Sequence, residues 1–334
     1  GIPFAGLDVY LTPTEELATA RSDGLVLTSF LDRVDAHAQV DPAPGDLEAC
    51  VARGVAEAML LALDPAEALA WRRATASALV FGWLGRFACG DGGERQQQAP
   101  GGGWLGPGGG AALAVLGELR DAGSGVFLRE LWQLTRQRTW EGKDEGLRAS
   151  PDLWQALEAV SDAGDRRMED LVAKVAVARY FVGPRAGLAA QPAAAGFGAE
   201  LAPPLAFDLP FAALPEHTAG SPPLAPFGSV YGRVEVRGAP LSSRLRVGLR
   251  GEHGVEWKLV AVRLDASGRE LGRLEATPDP ANPRAYLPVE LTPETTHVLV
   301  VGTNLSHRLP DADLPDPHVR GCKFIFDVVS DQFD

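Results

Sequence analysis

The chain has 334 residues, enough for two hydrophobic cores. It is 46% apolar and 22% charged, an ordinary globular balance, and its formal net charge is −13. Both halves are acidic, which excludes the basic footprint that nucleic acid or an anionic membrane surface requires. No run approaches the roughly 18 uninterrupted apolar residues that cross a bilayer, so no transmembrane segment is expected. The first residue is Gly1 rather than Met, so a leader could already have been removed.

Two strand-like runs open the chain, LDVYL (residues 7–11) and LVLTSF (25–30). A turn-like segment, DPAPGD, brings Asp46 to an N-cap position. The apolar spacing that follows predicts a helix over about residues 47–63, ended by Asp64-Pro65, and a second over about 65–87. The Gly- and Gln-rich segment 90–110 reads as a loop; its glycine runs lack a P-loop lysine and a preceding strand. Helices resume at 111–119, 126–138, 152–160 and 168–181. Trp132, Trp140 and Trp154 fall on helical faces and are expected in the core.

The character changes after Val182. Residues 183–226 are dense in Pro, Ala and Gly and read as a linker or crossover between domains. From residue 227 seven short strand-like runs, from SVYGRVEV to KFIFDVV, alternate with turn signals and predict an antiparallel β-sandwich. The expected fold class is α+β: a helix-rich domain with a small N-terminal sheet over residues 1–182, the linker, and the sandwich over 227–334.

The stretch RGVAEAMLLALDPAEALAWRRATASA (residues 53–78) has the spacing of an H-E-x-x-H zinc-peptidase helix and its successor, but not the ligands. Such a site sets two histidines at i and i+4 on one face, a glutamate between them to activate water, and a third ligand on the next helix. The stretch resembles a family of secreted bacterial zinc metalloproteases common in myxobacteria, whose H-E-F-F-H-A-x-Q-like helix is followed by D-P and a W-W-x-E-A-T-A-T-W-like helix. The resemblance continues through GGGAALAVLGELRDAGSGVFLRELWQL, AVARYFVGPR and LPFAALPEHTAG, and so covers most of the chain. It puts Arg53 in place of the first histidine, Gly54 in place of the catalytic glutamate, Glu57 in place of the second histidine and Arg73 in place of the third ligand. Residues 1–182 contain a single histidine, His37, so a two-histidine site cannot be built there. Arginine only donates hydrogen bonds and stays protonated. The three charged residues are therefore expected either to form a neutral plug, with Glu57 accepting from an arginine, or to face solvent.

Cys50 and Cys89 would either form a disulfide across two antiparallel helices or remain buried thiols; Cys322 lies in a strand pattern. The loop HRLPDADLPDPH, with His307, His318, Asp311, Asp313 and Asp316, has ligand types for a metal but no EF-hand glycine or terminal glutamate. Trp257 and Tyr231 could present aromatic rings to a glycan, or pack inward as strand aromatics usually do. Glu48 and Glu57 as a glycosidase pair, or a cysteine with His37, have nothing in their spacing to favour them.

These readings imply a protein with no catalytic residues, no cofactor and no bound metal. It would be a pseudopeptidase of the cell envelope or exterior (periplasmic, outer-membrane-associated or secreted), acting through contacts with another envelope or extracellular protein. Two alternatives stand beside it: a hydrolase with an unrecognised site, and a glycan- or metal-binding module led by the sandwich.

Overall fold

A computed structural model describes residues 7–14, 17–27, 32–43, 45–65, 67–87, 89, 97–104, 109–120, 124–135, 153–163, 167–190, 197, 201–219, 222–240, 243–305 and 322–331. The fold is α+β: a helix-rich region carrying a small N-terminal sheet, then a sheet-rich region.

The N-terminal sheet has three strands, β1 (Val9–Leu11), β2 (Ala18–Leu27) and β3 (Asp32–Val40), in the order β1-β3-β2. β1 runs parallel to β3 and β2 antiparallel to it, with a bulge between Ser22 and Gly24. The central strand, DRVDAHAQV, was not among the sequence-predicted strands. Ala38 and Val40 give it a buried side, while its polar residues hide the signal.

Helix α1 (Leu47–Leu63) begins where Asp46 accepts a hydrogen bond from the Ala49 N–H at 3.3 Å, and stops at Asp64 before Pro65. It rests on the sheet through Gly54: a methyl group added there would lie 3.2 Å from Val40 Cγ2 and 3.3 Å from Ala38 Cβ. Helix α2 (Leu69–Leu84) starts four residues later than the sequence predicted. Before it, the Pro65 and Glu67 carbonyls accept from Arg72 Nη1 at 3.2 and 2.8 Å, which holds the connection out of the helix. It ends on Gly85, whose φ of 69° is the left-handed cap that glycine adopts at little cost. Helix α3 (Gly109–Arg120) crosses α2 where Gly110 approaches Ser77 and Ala74 too closely for any side chain. Helices α4 (Ser124–Thr135) and α5 (Leu153–Ala163) complete this unit. Trp71, Trp132 and Trp154 are buried, and the Trp132 indole N–H donates to Thr75 Oγ1 at 3.1 Å. Trp140 lies outside the described residues.

The second unit contains β4 (Phe207–Pro210), β5 (Glu216–Ala219), β6 (Ser229–Glu235), β7 (Arg244–Gly251), β8 (Trp257–Leu264), β9 (Glu270–Ala276), β10 (Arg284–Glu290), β11 (His297–Asn304) and β12 (Phe324–Asp331). They form a four-stranded sheet, β10-β7-β12-β5, and a five-stranded sheet, β4-β6-β11-β8-β9, antiparallel throughout except for the parallel β4–β6 pair. The inward residues of both sheets, among them Val247, Leu249, Phe326, Leu259 and Val300, share one core. β8 and β11 are buried on both faces, because helix α6 (Met168–Ala178) covers the far side of their sheet. Ala173, Ala176 and Val177 of α6 pack there on Val260, Val262, Leu299 and Val301. That explains their continuous apolar runs, WKLVAVRL and HVLVVGTN.

The boundary between the units therefore falls at Met168/Glu169, not at Val182, and residues 97–104 join the second unit. The segment 183–226, expected as a linker or crossover, is part of the second unit. It carries β4 and β5, and Phe207 closes the core by filling the space over Gly232. Short strands such as FDLP and EHTA have too few residues for alternation to show.

Candidate functional site

The structure brings Arg53, Glu57 and Arg73 together between α1, α2 and the N-terminal sheet. Arg53 and Glu57 are i and i+4 on α1 and share its buried face. Arg53 Nη2 donates to the Ala18 carbonyl at 2.5 Å and Nη1 to the Cys89 carbonyl at 3.4 Å. Glu57 is fully buried, and Arg73 Nε approaches its Oε1 at 3.7 Å, an ion-pair separation longer than a hydrogen bond. The Glu57–arginine hydrogen bond expected from the sequence is thus an ion pair. The Arg73 side chain is 32% exposed, so its charge stays partly in water.

Burial pushes the Glu57 carboxyl above its ordinary range; Arg73, Arg53, the Ala20 N–H and Arg72 oppose that shift. Burial also lowers Arg72, against the attraction of Glu57, Glu67 and Asp64. Arg72 and Glu67 were not picked out from the sequence. Glu67 is buried and accepts from the Ala68 and Leu153 N–H groups, both at 2.8 Å, tying the starts of α2 and α5 together. A charged residue stranded in the D-P-A-E connection was the available signal.

This donor set does not fit a zinc ion. Zinc takes unprotonated N, S or O ligands, and here one carboxylate stands among guanidinium groups. A side chain at position 54 would press on Val40 and Ala38, which would have to give by a few tenths of an ångström. An apolar groove of about 360 Å³ does lie between α1, α2 and α4, lined by Met59, Leu63, Leu79, Leu128 and Trp132 among others, but none of Arg53, Gly54, Glu57 or Arg73 lines it. Among the described residues no group of three or more His, Cys, Asp or Glu converges as a metal site.

Cys50 and Cys89 are joined in a disulfide, with Cα atoms 4.9 Å apart. It packs with Ala18 and Val40 beside Arg53, and it removes both thiols as nucleophiles. His37 lies on β3, edge-on to Tyr10 at 5.1 Å. Glu48 is exposed and pairs with Arg86, whereas Glu57 is buried, so the two form no glycosidase dyad. Trp257 and Tyr231 are fully buried and present nothing to a glycan. The Tyr231 hydroxyl donates to the Ala176 carbonyl at 2.7 Å, and Trp257 packs against Gly251. His307, His318, Asp311, Asp313 and Asp316 lie outside the described residues. Cys322 is buried and forms no disulfide. Sequence reasoning also missed the fully buried Arg179, whose Nε donates to Gln97 Oε1 at 3.1 Å while Gln97 Nε2 donates back to its carbonyl at 2.7 Å.

No family model matches the chain, and no curated protein matches it. Among solved structures, it is similar over 35% of its length to tailspike protein 4 of bacteriophage CBA120, at 9% identity and a TM-score of 0.23. It is similar over 35% to the insecticidal delta-endotoxin Cry8Ea1 of Bacillus thuringiensis, at 14% identity and a TM-score of 0.18. The matched parts are 17% and 19% of those chains.

Proposed function

We propose that the protein is a non-catalytic pseudopeptidase of the cell envelope or exterior, in which a zinc-peptidase-like scaffold serves binding to another protein. One observation carries this reading. The positions that the resemblance aligns with zinc ligands hold Arg53 and Glu57, both buried, and the partly exposed Arg73, and Gly54 seats its helix directly on the sheet. The Cys50–Cys89 disulfide agrees with an oxidising compartment.

The test is zinc stoichiometry. The full chain is incubated with excess zinc, desalted and analysed for metal, in parallel with casein cleavage. The expectation is far less than one zinc per chain and no zinc-dependent cleavage. One tightly held zinc per chain that disappears in Glu57→Ala would overturn the proposal.

A further inference from the structure

The outer face of the four-stranded sheet carries a feature the sequence did not announce. Register places Tyr286 of β10, Gly248 of β7, Asp327 of β12 and His217 of β5 in one row across it. Gly248 leaves a gap, and the Tyr286 ring lies across it: a methyl group added at Gly248 would lie 2.7 Å from Tyr286 Cε1. Tyr286 is still 49% exposed. β10 alternates cleanly between exposed and buried residues, so Arg284, Tyr286 and Pro288 all stand on the solvent side.

Charge is concentrated around that ring. Arg246 sets its guanidinium 5.7 Å from the ring centroid. Arg250, paired with Arg284 across the strands, lies two residues beyond Gly248 on the same face. Arg246 and Arg284 therefore bracket Tyr286 along the strands, with roughly 14 Å between their backbone positions. Beside them Asp327 is held by His217 Nδ1 at 2.7 Å and Arg250 Nε at 3.2 Å. Among the described side chains this face carries four arginines, Arg244, Arg246, Arg250 and Arg284, against two carboxylates, Asp327 and Glu290, the latter paired with Arg244 at 3.0 Å, a local cationic excess in a chain of net charge −13.

We infer that this face binds an acidic polysaccharide built from uronate sugars. C–H groups of a sugar ring meet the exposed part of Tyr286. Carboxylates on neighbouring sugars reach Arg246 and Arg284, in the bidentate geometry guanidinium favours. The exposed His217 ring, fixed by Asp327, takes a hydroxyl. Tyr286 is what separates the reading from a phosphate-binding surface, because a phosphate offers no C–H face to an exposed aromatic ring. The site belongs to the sheet-rich unit and is independent of the pseudopeptidase reading.

The experiment is affinity gel electrophoresis of the full chain in polygalacturonate, dextran or dextran sulfate, with single-stranded DNA as competitor. The expected result is retardation by polygalacturonate that weakens with salt, with little or none in dextran. Arg246→Ala/Arg284→Ala, which changes only exposed side chains, should weaken it tenfold or more, and Tyr286→Ala similarly. Because Tyr286 covers Gly248, that variant is read alongside its thermal melt; if it unfolds, the double arginine variant decides. No retardation in polygalacturonate, equal retardation in dextran or dextran sulfate, displacement by DNA at lower concentration than by free polygalacturonate, or an unchanged double variant would each overturn the inference.

Discussion

Arg53 is the residue on which the Arg53–Glu57–Arg73 cluster most depends. It is only 7% exposed, yet its guanidinium reaches two buried carbonyls, of Ala18 and Cys89, and stands beside the buried Glu57. Arg53→Met keeps the aliphatic stem but strips both carbonyls of a charged donor, each such bond worth about 1.5–3 kcal/mol. It also leaves Glu57 facing only Arg72 and the half-solvated Arg73. Breaking one side of a buried pair costs roughly 3–5 kcal/mol, and that is the loss expected here. Glu57→Gln should behave differently. Arg53 keeps its carbonyls and Arg73 keeps its water, so the cost should stay below that of Arg53→Met. The pH dependence has a fixed sign. The Glu57 carboxyl is raised, so it binds its proton more tightly folded than unfolded. The stability this adds is present below the unfolded value near 4.5 and is lost as pH rises through the folded one. The balance between variant and parent should therefore move toward Gln from pH 4 to pH 8. Arg53→Met/Glu57→Leu should recover at least about 1 kcal/mol relative to the sum of the single changes. Denaturant unfolding followed at 222 nm, where the helices α1–α5 dominate their unit, measures all of these. An Arg53→Met cost below about 1 kcal/mol, or additivity in the double variant, would refute the coupled-plug reasoning.

Two further measurements bear on the scaffold. Replacing Cys50 and Cys89 by serine opens a cross-link between residues 39 apart in sequence. Chain entropy alone then predicts a loss of about 4 kcal/mol, readable as a lower denaturant midpoint that reducing agent reproduces in the parent. Asp208, bound through both oxygens by Arg233 at 2.9 and 2.6 Å, has its carboxyl held low by that pair. Its contribution is present above the unfolded value of 3.8 and is lost as pH falls through the lower folded one. Asp208→Asn should flatten that acid limb by no more than about 1 kcal/mol, because the pair is partly exposed, as acid titrations of both proteins would show.

What the sequence revealed and what it concealed have physical causes. α1 could be read to the residue because Asp46 and Asp64-Pro65 mark its ends chemically and its apolar face has helical period. The strands of the second unit were legible for the opposite reason: β10 alternates strictly, and β8 and β11 are too apolar to be anything but buried. What failed was assignment of partners. α6 shows an apolar face, but no local feature says which surface it covers, so the boundary was placed past it instead of before it. β3 failed because a strand can be half polar and still be central when its other half is Ala and Val. The same distinction governs the sites. Arg53 and Glu57 were recoverable because i, i+4 spacing fixes their proximity within one helix. The Tyr286 face was not, since its members come from β5, β7, β10 and β12, and only strand register lines them up. Gly248 is the one residue that hinted at it. A glycine inside an otherwise regular strand marks the close approach of something else, and here that is an aromatic ring held open to solvent.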